Sequence, residues 1–295
     1  MIRNACIIIA VIATIIISCL GASNNTEVPV AQNIEIDEDI DVQNSFDTST
    51  NTEISIMQNT KVETKTYIND SNKSGPTVFI IAGIHGNEVA GIETAKELAE
   101  CIPEKGRLIV LPMANKPAYE NNLRTMQYME DLNRNFPGNN AGNITQKLAC
   151  EIVGLIDEYR PDVVIDLHES KDSYQNDKSR LGDTIIFTPN DEILDETTKL
   201  VMHIVDQYNR NLQPNVELTF LSGAPDGSIN KEITGLYDIP VITVETNSKL
   251  ELEERKMQHK EIVNIILQYY GTGALFKNDD INSIINDYIY IISCI

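Results

Sequence analysis

Short runs of branched apolar residues recur along the chain, separated by longer stretches whose apolar positions fall every three or four residues. "TVFIIAGI" (77–84), "RLIVLPM" (107–113), "DVVIDLH" (162–168), "TIIFT" (184–188) and "PVITVE" (240–245) are the short runs. Their near-continuous hydrophobicity suits strands buried on both faces of a sheet. "EVAGIETAKELAECI" (88–102), "TQKLACEIVGLIDEYR" (145–160), "DEILDETTKLVMHIVDQYNRNL" (191–212) and "LEERKMQHKEIVNIILQYY" (252–270) carry the helical spacing. Strands alternating with helices predict an α/β fold: a single three-layer domain with a mixed, mostly parallel sheet and helices on both faces. No internal repeat interrupts this order.

The two ends depart from the pattern. "MIRN" contributes one positive charge, "ACIIIAVIATIII" an apolar stretch of signal-peptide length, and "IISCL" small and aliphatic residues around Cys19. This resembles a bacterial lipobox, with Ile16 where leucine is usual. Residues 1–19 are therefore expected to be a lipoprotein-type signal peptide and Cys19 the lipidation site, with an uncleaved N-terminal anchor as the other reading. The expected location is extracytoplasmic and membrane-anchored through the lipid, or else secreted or N-terminally anchored. Residues 20–60 contain eight acidic residues and no Lys or Arg. That composition predicts a disordered acidic tether over 20–58, followed by a folded domain over 59–295. The final "INSIINDYIYIISCI" gathers isoleucines near one helical face, which predicts a docked helix or edge strand within 276–295. Its apolar run is too short to span a membrane.

Charge removes one class of function. The 44 Asp+Glu against 23 Lys+Arg give a formal net charge of −21, and the basic residues form no cluster. Phosphate recognition needs a basic face, so nucleic acid is not an expected partner. With Cys6 in the leader and Cys19 lipidated, Cys101, Cys150 and Cys294 remain. They show no C-x-x-C spacing, so neither a disulfide framework nor a thiolate zinc site is expected. Buried free thiols are expected instead, with a Cys101–Cys150 bridge left open.

Candidate chemistry centres on the histidines. His203 and His259 lie inside helical stretches, whereas His85 and His168 each sit at the carboxyl end of a predicted strand, the edge where open α/β sheets bind ligands. In "AGIHGNEVAG" (82–91), His85 leaves the strand and Glu88 opens the following helix, so both can converge on one point. Gly83 and Gly86 are expected to permit the sharp turn. Taken alone, the segment reads equally as a capped turn, because a glutamate there suits the helix dipole. With His168 added, two histidines and a glutamate make a known catalytic zinc set that keeps a fourth position for water. "MEDLNRNFPG" (129–138) places Asn133 beside Arg134, a pairing suited to gripping a carboxylate. "VITVETN" (241–247) ends an apolar strand on Glu245, a natural general base.

"GIHGNE", "DLNRNFPG", "DLHE" and "TVE", in this order, resemble the zinc-carboxypeptidase superfamily, and within it the succinylglutamate desuccinylase/aspartoacylase branch, over roughly residues 60–270. The resemblance implies one zinc ion held by His85, Glu88 and His168, with Glu245 as general base and then acid. It implies that Asn133 and Arg134 bind the substrate's carboxylate and that Asp131 orients His85 from behind. An arginine that polarises the scissile carbonyl is also implied. Arg124 is the candidate, at a spacing to Asn133 slightly longer than the deacylases show. A tyrosine that closes over substrate is not assigned, Tyr174 and Tyr237 being among the possibilities.

The activity so implied is hydrolysis of an amide bond in a small N-acyl amino acid or a peptide with a free carboxylate. Deacylase and carboxypeptidase remain alternatives. An extracytoplasmic location favours peptides, among them cell-wall peptides. A non-catalytic peptide- or glycan-binding protein on the same fold is a further alternative, but it would not need Glu245. A serine or cysteine hydrolase has no support, since no G-x-S-x-G elbow is present.

Overall fold

A computed structural model describes residues 49–211 and 216–276. Eight strands form one sheet: β1 (Thr50–Ile56), β2 (Thr64–Asp70), β3 (Thr77–Ala82), β4 (Arg107–Leu111), β5 (Val163–Ser170), β6 (Thr184–Phe187), β7 (Thr219–Ser222) and β8 (Val241–Asn247). Six helices accompany them: α1 (Val89–Leu98), α2 (Lys116–Glu120), α3 (Ile144–Tyr159), α4 (Leu194–Asn211), α5 (Ile229–Tyr237) and α6 (Leu252–Tyr270). A one-turn 3-10 helix covers Leu132–Arg134. All five strands and all four helices expected from the apolar pattern are present, and the class is the mixed, three-layer α/β fold.

The strand order is β1-β2-β4-β3-β5-β8-β6-β7. The central four, β4, β3, β5 and β8, run parallel to one another. β2 joins β4 antiparallel and β6 joins β8 antiparallel, which makes the sheet mixed. Side chains alternate between two cores as strand geometry requires. Val78, Ile80 and Ala82 of β3 face α1, α4 and α6, while Phe79 and Ile81 face α3 and α5. The chain passes from β3 out to β4 and then back across β3 to β5. That reversal opens a crevice at the carboxyl ends of β3 and β5, where an open α/β sheet takes its ligand.

One boundary is corrected. The tether was expected to run to residue 58, but Thr50–Ile56 is a strand paired in register with Thr64–Asp70. Its sequence, "TNTEISI", is mostly polar because an edge strand keeps most of its side chains in solvent. The leader with Cys19, the rest of the tether and nearly all of the 276–295 segment lie outside the described residues. Cys101 and Cys150 are both free, and each is half-buried rather than buried. Among the described residues no helix is long and apolar enough to cross a membrane.

Candidate metal centre

His85 emerges three residues after β3, and Glu88 is the N-cap of α1. Two glycines permit this, for different reasons. Gly83 adopts φ +70°, a left-handed turn that L side chains resist. Gly86 is needed for close approach instead: a Cβ there would sit 2.1 Å from the Tyr119 nitrogen of α2. The Gly86 N–H also donates to the Arg124 carbonyl at 3.2 Å, which draws the loop carrying Arg124 onto the turn.

The three expected ligands converge. His85 Nδ1 lies 2.8 Å from Glu88 Oε1, and His168 Nδ1 lies 2.7 Å from Glu88 Oε2. All three residues are buried, and one donor atom from each lies within 4.8 Å of the other two. A carboxylate stands behind each imidazole, hydrogen-bonded to His85 and within ion-pair distance of His168. His85 Nε2 is 3.1 Å from Asp131 Oδ1, and His168 Nε2 is 3.0 Å from Asp166 Oδ2. An imidazole that gives its outer N–H to a carboxylate presents its other nitrogen, unprotonated, to a metal. The donor set and its backing therefore fit a zinc ion.

Electrostatics agree with a cation-shaped site. Burial works to raise the Glu88 carboxyl, but His168 and His85 on its two oxygens hold it well below the ordinary carboxylate range. Burial opposes charge on His168 as well, yet Asp166 and Glu88 draw its imidazole well above its ordinary value. Asp131 is held low against its own burial by His85 and Arg124.

Glu245 is the direct register partner of His168 across β5 and β8, so it faces the same crevice. Burial pushes its carboxyl up to about 8; the His168 charge opposes this, and Glu88 and Asp166 reinforce it. A carboxyl perturbed in that direction is suited to take up and return a proton near neutrality.

Arg124, Asn133 and Arg134 line the same cavity of about 470 Å³. Asn133 Oδ1 accepts from the Ile229 N–H at 3.1 Å, which leaves the amide's Nδ2 to donate. Arg134 donates to the Asn133 carbonyl at 2.6 Å and has no carboxylate partner among the described residues. Arg124 stands at the rim, half-exposed, with Nη2 3.1 Å from Asp131 Oδ2 and Nη1 3.4 Å from Glu88 Oε1. Neither Tyr174 nor Tyr237 lines the cavity.

Residues 74–182 match the profile of the succinylglutamate desuccinylase/aspartoacylase catalytic domain, a span that holds every named site residue except Glu245. Over that span the chain is similar to the catalytic domain of this family. Over 98 residues, 32% of this chain, it is 37% identical to the N-alpha-acetyl-L-2,4-diaminobutyric acid deacetylase of Halomonas elongata. The match spans 28% of that deacetylase. In fold it is similar to a Rhodobacter sphaeroides succinylglutamate desuccinylase/aspartoacylase, with TM-score 0.57 and 20% identity over 76% of this chain and 65% of the other. It is also similar to Helicobacter pylori Csd4, a D,L-carboxypeptidase solved in an mDAP-bound form, with TM-score 0.58 and 21% identity over 72% of this chain and 56% of that one.

Asp166 is the site residue that sequence reasoning did not assign. It lies two positions before His168 on the same strand, hence on the same face. A lone carboxylate inside "VVIDL" was the available signal.

Proposed function

We propose that the domain is a zinc-dependent hydrolase that cleaves an amide bond in a small substrate carrying a free carboxylate, an N-acyl amino acid or a peptide. The observation that carries this reading is the convergence of His85, Glu88 and His168 beside Glu245, in one cavity with an Arg134 that has no carboxylate partner among the described residues. A zinc ion held by those three residues would supply Lewis acidity and a water with its pKa lowered towards about 7.

The chain's own residues account for the rest. The Glu245 carboxylate accepts a proton from the attacking water and returns it to the leaving amine nitrogen. Arg134 and the Asn133 Nδ2 grip the substrate carboxylate and hold the scissile bond at a fixed distance. Arg124 donates from the rim to the oxygen of the scissile carbonyl as charge builds there. Asp131 and Asp166 keep both imidazoles in the tautomer and orientation that metal binding requires. The cavity is of the size that takes small ligands, and the Arg134 guanidinium in its wall draws an anion into an otherwise acidic protein.

The N-terminal sequence supports an extracytoplasmic, lipid-anchored placement, and with it a peptide substrate of cell-wall type over a cytosolic metabolite. The test is direct. Purified protein reconstituted with zinc is offered an N-acyl amino acid and a peptide with a free carboxyl terminus side by side. Turnover of either, abolished in Glu245→Gln, supports the reading; turnover that persists without zinc or without Glu245 overturns it.

A further inference from the structure

Glu88 stands at the N-cap of α1 yet makes no side-chain cap hydrogen bond, because its carboxylate is committed to His85 and His168. The helix start is capped from elsewhere. Glu169, the residue after His168, accepts from the Ala90 N–H through Oε1 at 2.5 Å. Its own backbone N–H donates to Glu88 Oε2 at 3.2 Å. Its other carboxylate oxygen, Oε2, pairs with Arg255 Nη1 from the first turns of α6. Arg255 Nε in turn donates to the Leu250 carbonyl at 3.0 Å. The Glu169 side chain is only 2% exposed, so this carboxylate is buried with one cation to balance it. α1 lies hard against β5: a Cβ on Gly91 would be 3.0 Å from the Leu167 Cβ.

We propose that Glu169, braced by Arg255, is a positioning residue that fixes the spacing between Glu88 on α1 and His168 on β5. The physical reason is the diverted cap. A helix start left with free N–H groups would pull the Glu88 carboxylate back towards them, since an N-terminal carboxylate is their natural partner. Glu169 satisfies Ala90 and so leaves Glu88 free to ligate. Its backbone N–H orients the same Glu88 oxygen that faces His168. Arg255 then ties the arrangement to α6, so that α1, β5 and α6 are held by one carboxylate. Glu169 lines the cavity, but both of its side-chain oxygens are taken up by Ala90 and Arg255, so it acts through Glu88.

This inference rests on the zinc reading of the site. It is tested by competition for zinc between the apo-protein and a chelator of known affinity, with melting of each apo-protein measured in parallel. Glu169→Ala is expected to weaken zinc binding about 10- to 100-fold, the usual loss when a group behind the ligands is removed. Glu169→Gln keeps an acceptor for Ala90 and is expected to recover most of that affinity. A purely structural role lowers the melting temperature and leaves zinc affinity alone. Zinc binding in Glu169→Ala within two-fold of wild type, whatever its melting temperature, therefore overturns the proposal. If Glu169→Ala does not fold, Arg255→Gln decides: weaker zinc binding supports the role and unchanged binding overturns it. A wild type that takes up no zinc refutes the reading of the site, and this proposal with it, before any variant is compared.

Discussion

Asp166→Asn isolates the buried carboxylate behind His168. Asp166 is 1% exposed, and its Oδ2 lies 3.0 Å from His168 Nε2 and 3.2 Å from the Thr243 hydroxyl. Asparagine is nearly isosteric, so the substitution removes charge without opening a cavity. A full ion pair at 3.0 Å would be worth about 5.5 kcal/mol at an effective dielectric of about 20. That is an upper bound, because an imidazole that ligates metal is neutral. What remains is loss of tautomer control. A carboxylate can only accept, so it holds the proton on Nε2, whereas an amide can turn its NH2 to that nitrogen and put the proton on Nδ1. A protonated Nδ1 cannot bind metal. The expected cost is about 10- to 100-fold in zinc affinity, or about 1.4–2.8 kcal/mol. Chelator competition measures it, with melting of the apo-proteins as the check on folding. Zinc bound by Asp166→Asn as tightly as by wild type would refute the role given to Asp166.

Three further outcomes follow from the same geometry. Glu245→Gln is expected to keep its zinc and lose activity by about 10²- to 10⁴-fold, the range of a general acid–base; metal analysis beside kinetics checks both halves, and substantial retained activity rejects Glu245 as the base. Arg134→Ala removes a guanidinium from the cavity wall and is expected to raise KM about 10- to 100-fold, with kcat little changed, since a hydrogen bond to a charged group contributes about 1.5–3 kcal/mol; a fall in kcat at constant KM would contradict a purely binding role. Burial holds the His259 imidazole down at about 3, below its ordinary 6.5. The unfolded chain therefore binds the proton more readily, so this residue's share of stability is whole above about pH 6.5 and drains as pH falls towards about 3. Denaturant unfolding at pH 7 and pH 4.5 should show a smaller loss in His259→Gln than in wild type; equal losses would count against it.

The parts of the fold that were legible share one physical property. β3, β4, β5, β6 and β8 are buried on both faces, and burial on both faces leaves a continuous apolar run. β1 and β2 carry no such mark. "TKTYIND" reads as a polar loop, yet Thr64 and Thr66 are buried, and the Asn69 amide is buried because it donates to the Ala99 and Cys101 carbonyls just after α1. Those partners lie some thirty residues away, where local pattern cannot reach. The site divides in the same way. His85 and His168 were legible because each ends an apolar run, and Glu245 for the same reason. Asp166 offered only a lone carboxylate in an apolar run and Glu169 no signal at all; what distinguishes them is what packs against them, the imidazole of His168 and the N-terminus of α1. Spacing along the chain says little about where Arg124 lies; the Gly86 hydrogen bond that draws its loop onto the turn brings it to the rim of the cavity.

Metal content of the purified protein beside His168→Ala tests the central claim most directly. The account predicts one zinc per chain in the wild type and its loss in the variant, with the variant still folded. A wild type that binds no zinc, or stoichiometric zinc that survives His168→Ala, would contradict it.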